Sequence, residues 1–113
     1  MSAVESSPYQ PFSVAVVPDD RNVVMVPEGE LDLASVDQLD REVRELRGAG
    51  FDQIVVDLRR VEFLDPTGLR LLLSLRNDAE RDGHSLELVP GPGPVQRIFE
   101  LTATRSLFEW RDH

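Results

Sequence analysis

The stretch Val55-Val56-Asp57-Leu58-Arg59-Arg60-Val61-Glu62-Phe63-Leu64-Asp65-Pro66-Thr67-Gly68-Leu69 begins as an apolar, strand-like run and ends as the opening of a helix. Asp65 is a good N-cap residue and Pro66 is preorganised for the first helical position, so Thr67 and Gly68 fall where backbone N–H groups have no partner within the helix. Such a helix start favours an anion, and a small hydroxyl residue beside it is a candidate for phosphorylation.

Outward from this point the chain alternates strand and helix signals. On the C-terminal side, Leu69, Leu71, Leu72, Leu73 and Leu75 are too dense for one narrow stripe, which predicts a helix from Pro66 to about Arg81, largely buried along its first half and stopped at Gly83. Residues 85–89 alternate as a strand, the stiff turn Pro90-Gly91-Pro92-Gly93-Pro94 leads into a third helix over residues 95–101, and residues 107–110 suit a short last strand.

On the N-terminal side, residues 53–58 are apolar on both parities, as in a central strand covered on two faces. Ser35 followed by Gln38 forms a capping-box signature, and Val36, Leu39, Val43 and Leu46 recur at helical spacing as far as Gly48 or Gly50. Residues 12–17 and 22–26 read as a hairpin around Pro18-Asp19-Asp20-Arg21-Asn22, with Pro27 interrupting the second strand, which suggests an edge or a bulge before Gly29-Glu30-Leu31-Asp32. Residues 1–11, polar and carrying two prolines, read as a flexible tail ahead of a single domain spanning 12–110. The order is strand, strand, helix, strand, helix, strand, helix and a last short strand, hence a mixed sheet of four to five strands packed by three to four helices.

Composition narrows the function. The 113 residues suffice for one domain with a core of roughly 25 side chains. Asp plus Glu number 21 against 12 basic residues, and the net charge of -9 would repel a phosphate backbone, which argues against nucleic acid as a partner. The absence of cysteine removes disulfides, thiolate metal sites and a Cys nucleophile. Every basic residue is arginine, so Schiff-base chemistry, a phosphate-loop lysine and a receiver-domain lysine are ruled out. No window approaches the ~20 apolar residues of a membrane span, and the first residues lack a signal-peptide pattern; a soluble cytoplasmic protein is expected.

Gly29-Glu30-Leu31-Asp32, Asp57-Leu58, Phe63-Leu64-Asp65 and Thr67-Gly68-Leu69, with Val95, Arg97, Ile98 and Leu101, together resemble the STAS domain of bacterial anti-sigma factor antagonists over residues 12–109. The resemblance implies a STAS fold and a non-enzymatic regulator. Such a regulator binds an anti-sigma factor of serine/threonine kinase fold and so releases a sigma factor, with a PP2C-type phosphatase resetting the switch. In typical members a serine directly after the helix-opening aspartate is phosphorylated by that partner. Here Pro66 occupies the position, and Thr67 is the nearest hydroxyl, about 100 degrees further around the helix axis. The implied partner-binding residues are Asp32, Asp65, Pro66, Thr67, Gly68, Leu69 and Arg70, with Thr67 the phosphorylation candidate. No cofactor and no metal are implied.

Plainer roles stand beside these. Asp65 can serve only as a cap, Gly68 as a close-approach residue, Leu69 as core, Asp32 as a turn former, Arg70 as a solvated cation and Asp57 as a structural hydrogen-bonding group. His84 and His113 lack ligand spacing and are expected to be exposed. A constitutive STAS interaction or scaffold module without a phospho-switch is the alternative from the same fold. A phospho-aspartate receiver built on Asp19, Asp20 and Asp57 fits poorly, because the chain has no lysine and its second element is a strand. Gly91-Pro92-Gly93 is no phosphate-binding fingerprint, so no small ligand is specified.

Overall fold

The computed structural model describes residues 12–20 and 22–112. The expected tail over residues 1–11, together with Arg21 and His113, lies outside the described residues. The first strand β1, Ser13–Asp19, turns back into β2, Asn22–Leu31, with Ser13 opposite Glu28 and Asp19 opposite Asn22 in an antiparallel ladder. Helix α1, Val36–Gly48, is followed by β3, Gln53–Asp57, a 3-10 turn over Leu58–Arg60, and β4, Val61–Leu64. Helix α2, Pro66–Asp82, β5, Ser85–Val89, α3, Gly93–Leu101, and the two-residue strand β6, Glu109–Trp110, complete the chain.

The sheet runs β1-β2-β3-β5-β6, with β4 also paired to β2, and every pairing except β1 with β2 is parallel. β3 lies at the centre of the path, and its Ile54, Val55, Val56 and Asp57 are all buried, which explains the apolar character on both parities.

Two expectations about this half of the sheet are corrected. The strand expected over residues 53–58 ends at Asp57, and a second strand that was not expected follows before the helix, because Asp57 caps a 3-10 turn: its carboxylate accepts the Arg59 N–H at 3.0 Å and pairs with the guanidinium at 2.7 Å. The hydrogen bonds from the guanidinium to Asp57 raise the Arg59 pKa above its ordinary value. The structural role foreseen for Asp57 is the one it fills. The turn shifts the chain sideways, so β3 pairs with residues 22–25 of β2 while β4 pairs with residues 29–31, and the sheet has six strands.

Pro27, expected to interrupt β2, instead lies within it opposite Val14. It falls in the gap where the parallel neighbour changes from β3 to β4, so its missing N–H removes no ladder bond on that side. Just beyond, Gly29 adopts φ 113° at an irregularity in the register, a conformation that suits glycine.

Helices α1 and α2 bury Val36, Leu39 and Val43, and Leu69, Leu72, Leu75 and Ala79, in a core that also contains Met25, Leu31, Ile54, Leu64 and Leu88. Gly83 ends α2 with φ 74°, its N–H bonded to Ala79 O. Arg47, at the end of α1, donates to Asp52 O at 2.7 Å and to Ser85 O at 2.9 Å, tying α1 to the starts of β3 and β5. Phe99 of α3 packs edge-on against Phe108 and Trp110, which secures β6. His84, expected to be exposed, is half-buried, with Nδ1 3.7 Å from Asp52 Oδ1.

Candidate functional site

The parallel strands β2 and β4 end side by side. Leu31 and Leu64 are partners in register, so the residues that follow them, Asp32 and Asp65, leave the sheet from the same rung. Asp65 N–H donates back to Leu31 O at 3.3 Å, and the chain enters α2 immediately.

Asp65 is the N-cap, with an extended backbone, and its Oδ1 accepts the Gly68 N–H at 2.8 Å while its carbonyl accepts the Leu69 N–H at 3.0 Å. Pro66 has no donor. Within the first turn this leaves the Thr67 N–H, the donor the cap does not take up. Pro66 is exposed, Thr67 half-buried and Arg70 exposed. Thr67 and Arg70, three residues apart, share the wall of a shallow groove of about 260 Å³ between α2 and α1. The opposite wall carries Asp37 and Asp40 of α1. Asp40 is paired with Arg44 at 3.1 Å, whereas Asp37 makes no ion pair among the described residues.

Gly68 and Leu69 are buried and face inward. They hold α2 on the sheet, so their part in any docking surface is to position it rather than to touch a partner. Asp32, half-buried, accepts the Ala34 N–H on Oδ1 at 3.0 Å, and its carbonyl accepts from both Ser35 N–H at 3.0 Å and Val36 N–H at 2.9 Å. Asp32 therefore forms the turn and stands next to the α2 start at the same time.

The capping box expected at Ser35 does not form. Ser35 is the N-cap residue of α1 but makes no side-chain cap bond; its hydroxyl donates to Glu30 O at 2.6 Å and accepts from Asp32 N–H at 3.0 Å, while Gln38 reaches Glu42 instead. The spacing Asp32-x-x-Ser35 is the signal for this lock, since both are residues that bond backbone groups two or three positions away. Phe63, half-exposed on β4, is paired with Glu30 one rung before Leu31 and Leu64. Among the described residues no His/Cys/Asp/Glu cluster suits a metal ion, and no helix is long and apolar enough to cross a membrane.

A mixed sheet with one antiparallel edge, flanked by helices and presenting a capped helix start beside the end of β2, defines a small α/β domain of a known type. The chain belongs to the STAS domain family: the family model described as "Mlab, STAS domain" matches residues 14–108. An anti-sigma-B factor antagonist of Staphylococcus aureus is 29% identical over 79 residues, spanning 70% of this chain and 73% of that protein. The anti-sigma factor antagonist SpoIIAA in its unphosphorylated form superposes with a TM-score of 0.72 at 22% identity, covering 91% of this chain and 88% of its own. The Bacillus cell fate determinant SpoIIAA in its phosphorylated form gives 0.69 at 19% identity, covering 91% of each chain. At these identities the structures show a shared fold.

Proposed function

We propose that this chain is a cytoplasmic, non-enzymatic anti-sigma factor antagonist that binds an anti-sigma factor of serine/threonine kinase fold and thereby releases a sigma factor. The start of α2 and the β2–α1 turn form the contact, through Asp32, Asp65, Pro66, Thr67 and Arg70, with Gly68 and Leu69 beneath. Phosphorylation of Thr67 switches the contact off, and a PP2C-type phosphatase restores it.

The observation that carries this reading is the position of Thr67: a hydroxyl residue on the first turn of α2, two residues past the Asp65 cap, at the edge of an open groove. A phosphate there would add about 1.5 to 2 negative charges to a docking surface. Asp37 and Asp40 across the groove would add to the repulsion, with Arg70 as the neighbouring cation. The names of the similar proteins support the partner class.

One observation favours a second reading. The first helical position is Pro66, which has no hydroxyl, as suits a constitutive interaction module.

Affinity capture from the source cells with the wild-type chain and with Thr67→Glu decides between them, with retained proteins and phosphate on Thr67 identified by mass spectrometry. Recovery of a kinase-fold anti-sigma factor by wild type alone, with phosphate found on Thr67, is the expected result. Equal recovery by both without phosphate establishes the constitutive module, and recovery of no such protein overturns both.

A further inference from the structure

The turn between β2 and α1 is built so that it holds one leucine in water. Leu33 is the most exposed of the large apolar side chains among the described residues, at 75%, yet it stands in a turn whose neighbouring residues are tied by hydrogen bonds on both sides. On one side of it Asp32 accepts from three backbone N–H groups, that of Ala34 on its Oδ1 and those of Ser35 and Val36 on its carbonyl. On the other, the hydroxyl of Ser35, itself 4% exposed, bridges Glu30 O and Asp32 N–H at 2.6 and 3.0 Å. A leucine in a loose loop can fold back onto the surface, but this one has little freedom to do so. Preorganised display of an apolar side chain lowers the ordering cost of binding, and side chains so placed at the centre of an interface carry a large share of its energy.

We propose that Leu33 is the apolar anchor through which this domain docks, entering an apolar pocket rimmed by arginine or lysine on the anti-sigma factor. The inference rests on the function proposed for the α2 start and adds the chemistry of the partner's surface. Charge complementarity gives the rim its sign. Leu33 lies between Asp32 and Asp37 in the chain, Asp37 has no ion-pair partner among the described residues, and Asp65 leaves the sheet on the same rung as Asp32. The whole chain carries -9. A neutral or acidic rim would bring like charges together on docking, whereas a basic one pairs with them.

The test titrates the kinase-fold protein recovered on the wild-type bait, purified, against wild type, Leu33→Ala and Leu101→Ala. Leu101, 71% exposed at the end of α3, is the control for loss of an exposed leucine elsewhere. The expected result is binding weakened by about tenfold or more for Leu33→Ala and unchanged for Leu101→Ala, with wild-type affinity falling as salt rises. Equal affinities for wild type and Leu33→Ala overturn the anchor while leaving the proposed function standing. Salt-independent binding overturns the basic rim. If wild type recovers no kinase-fold protein, the parent reading fails and this one fails with it.

Discussion

Gly68 lies against the carbonyl oxygen of Leu31: a Cβ added to Gly68 would fall inside contact distance of that oxygen and 2.8 Å from Leu64 Cδ1. The start of α2 is thus pressed onto the end of β2 with room for hydrogen only, which fixes where Pro66 and Thr67 stand relative to Asp32. The glycine serves the site through this close approach, since its own φ is helical and needs no special freedom.

Gly68→Ala should therefore destabilise the domain by about 1–3 kcal/mol, as overpacking against backbone does. The sign is diagnostic, because the same change inside an ordinary helix stabilises by roughly 0.5–1 kcal/mol. Urea unfolding followed by circular dichroism reads the difference directly, and a neutral or stabilising result would mean that α2 can lift off the sheet.

Asp65→Ala removes the acceptor of the Gly68 N–H and should cost about 1 kcal/mol, whereas Asp65→Asn should cost only a few tenths, because an amide oxygen caps nearly as well. Equal losses for the two variants would show that the charge of Asp65, rather than its hydrogen bond, holds the helix start. The urea midpoints of the pair are the measurement.

The parts of this molecule that were legible in the sequence are those set by short-range rules. Asp65 followed by Pro66 predicted the start of α2 to the residue, Gly83 predicted its end, and the two-sided apolar run at 53–58 predicted a central strand. What escaped depended on lateral pairing. The division of residues 53–64 into two strands follows from Asp57 bending the chain into a 3-10 turn, and local pattern alone does not tell a buried aspartate in a strand from one that caps a turn. Pro27 does not interrupt β2, although the irregularity it suggested has a counterpart in the register shift at Gly29 and Glu30: proline breaks a strand only where its N–H is needed, and that depends on which neighbour the strand has at that point. At the site, the Asp65 cap and the burial of Leu69 followed from pattern. The meeting of Asp32 with the α2 start came from family resemblance, and the lock made by Ser35 was mistaken for a helix cap.

Ser35→Ala tests that lock. The hydroxyl satisfies Glu30 O and Asp32 N–H in a buried position, so its removal should cost about 1–2 kcal/mol and raise amide hydrogen exchange over residues 32–35. A capping role would instead loosen the first turn of α1 and leave the exchange of Asp32 unchanged.

Asp57 is the buried carboxylate on which the sideways step between β3 and β4 depends. Asp57→Ala removes the acceptor of the Arg59 N–H together with the ion pair and should cost about 2 kcal/mol; Asp57→Asn should cost roughly half as much, since an amide oxygen still accepts from that N–H. Urea unfolding of both variants measures this. If the two are equally damaging, the ion pair with Arg59 rather than the turn hydrogen bond sets the geometry.

Thr67→Glu separates folding from docking. The side chain stands on the first turn of α2, where a negative charge faces the positive end of the helix dipole, and Arg70 lies three residues on along the same face; Asp37 and Asp40 across the groove oppose it. The helix terms act in the first turn itself and the opposing carboxylates act across open solvent, so the variant should be as stable as wild type or up to about 1 kcal/mol more stable. Partner binding should fall nonetheless, because the longer, charged side chain must be desolvated in a contact that accepts a threonine. Thr67→Ala should bind as wild type does and incorporate no phosphate at that position, and Thr67→Ser should behave as wild type in both respects. A parallel loss of stability and binding in Thr67→Glu would attribute the binding defect to unfolding of α2 and remove the case for a charge switch at this residue.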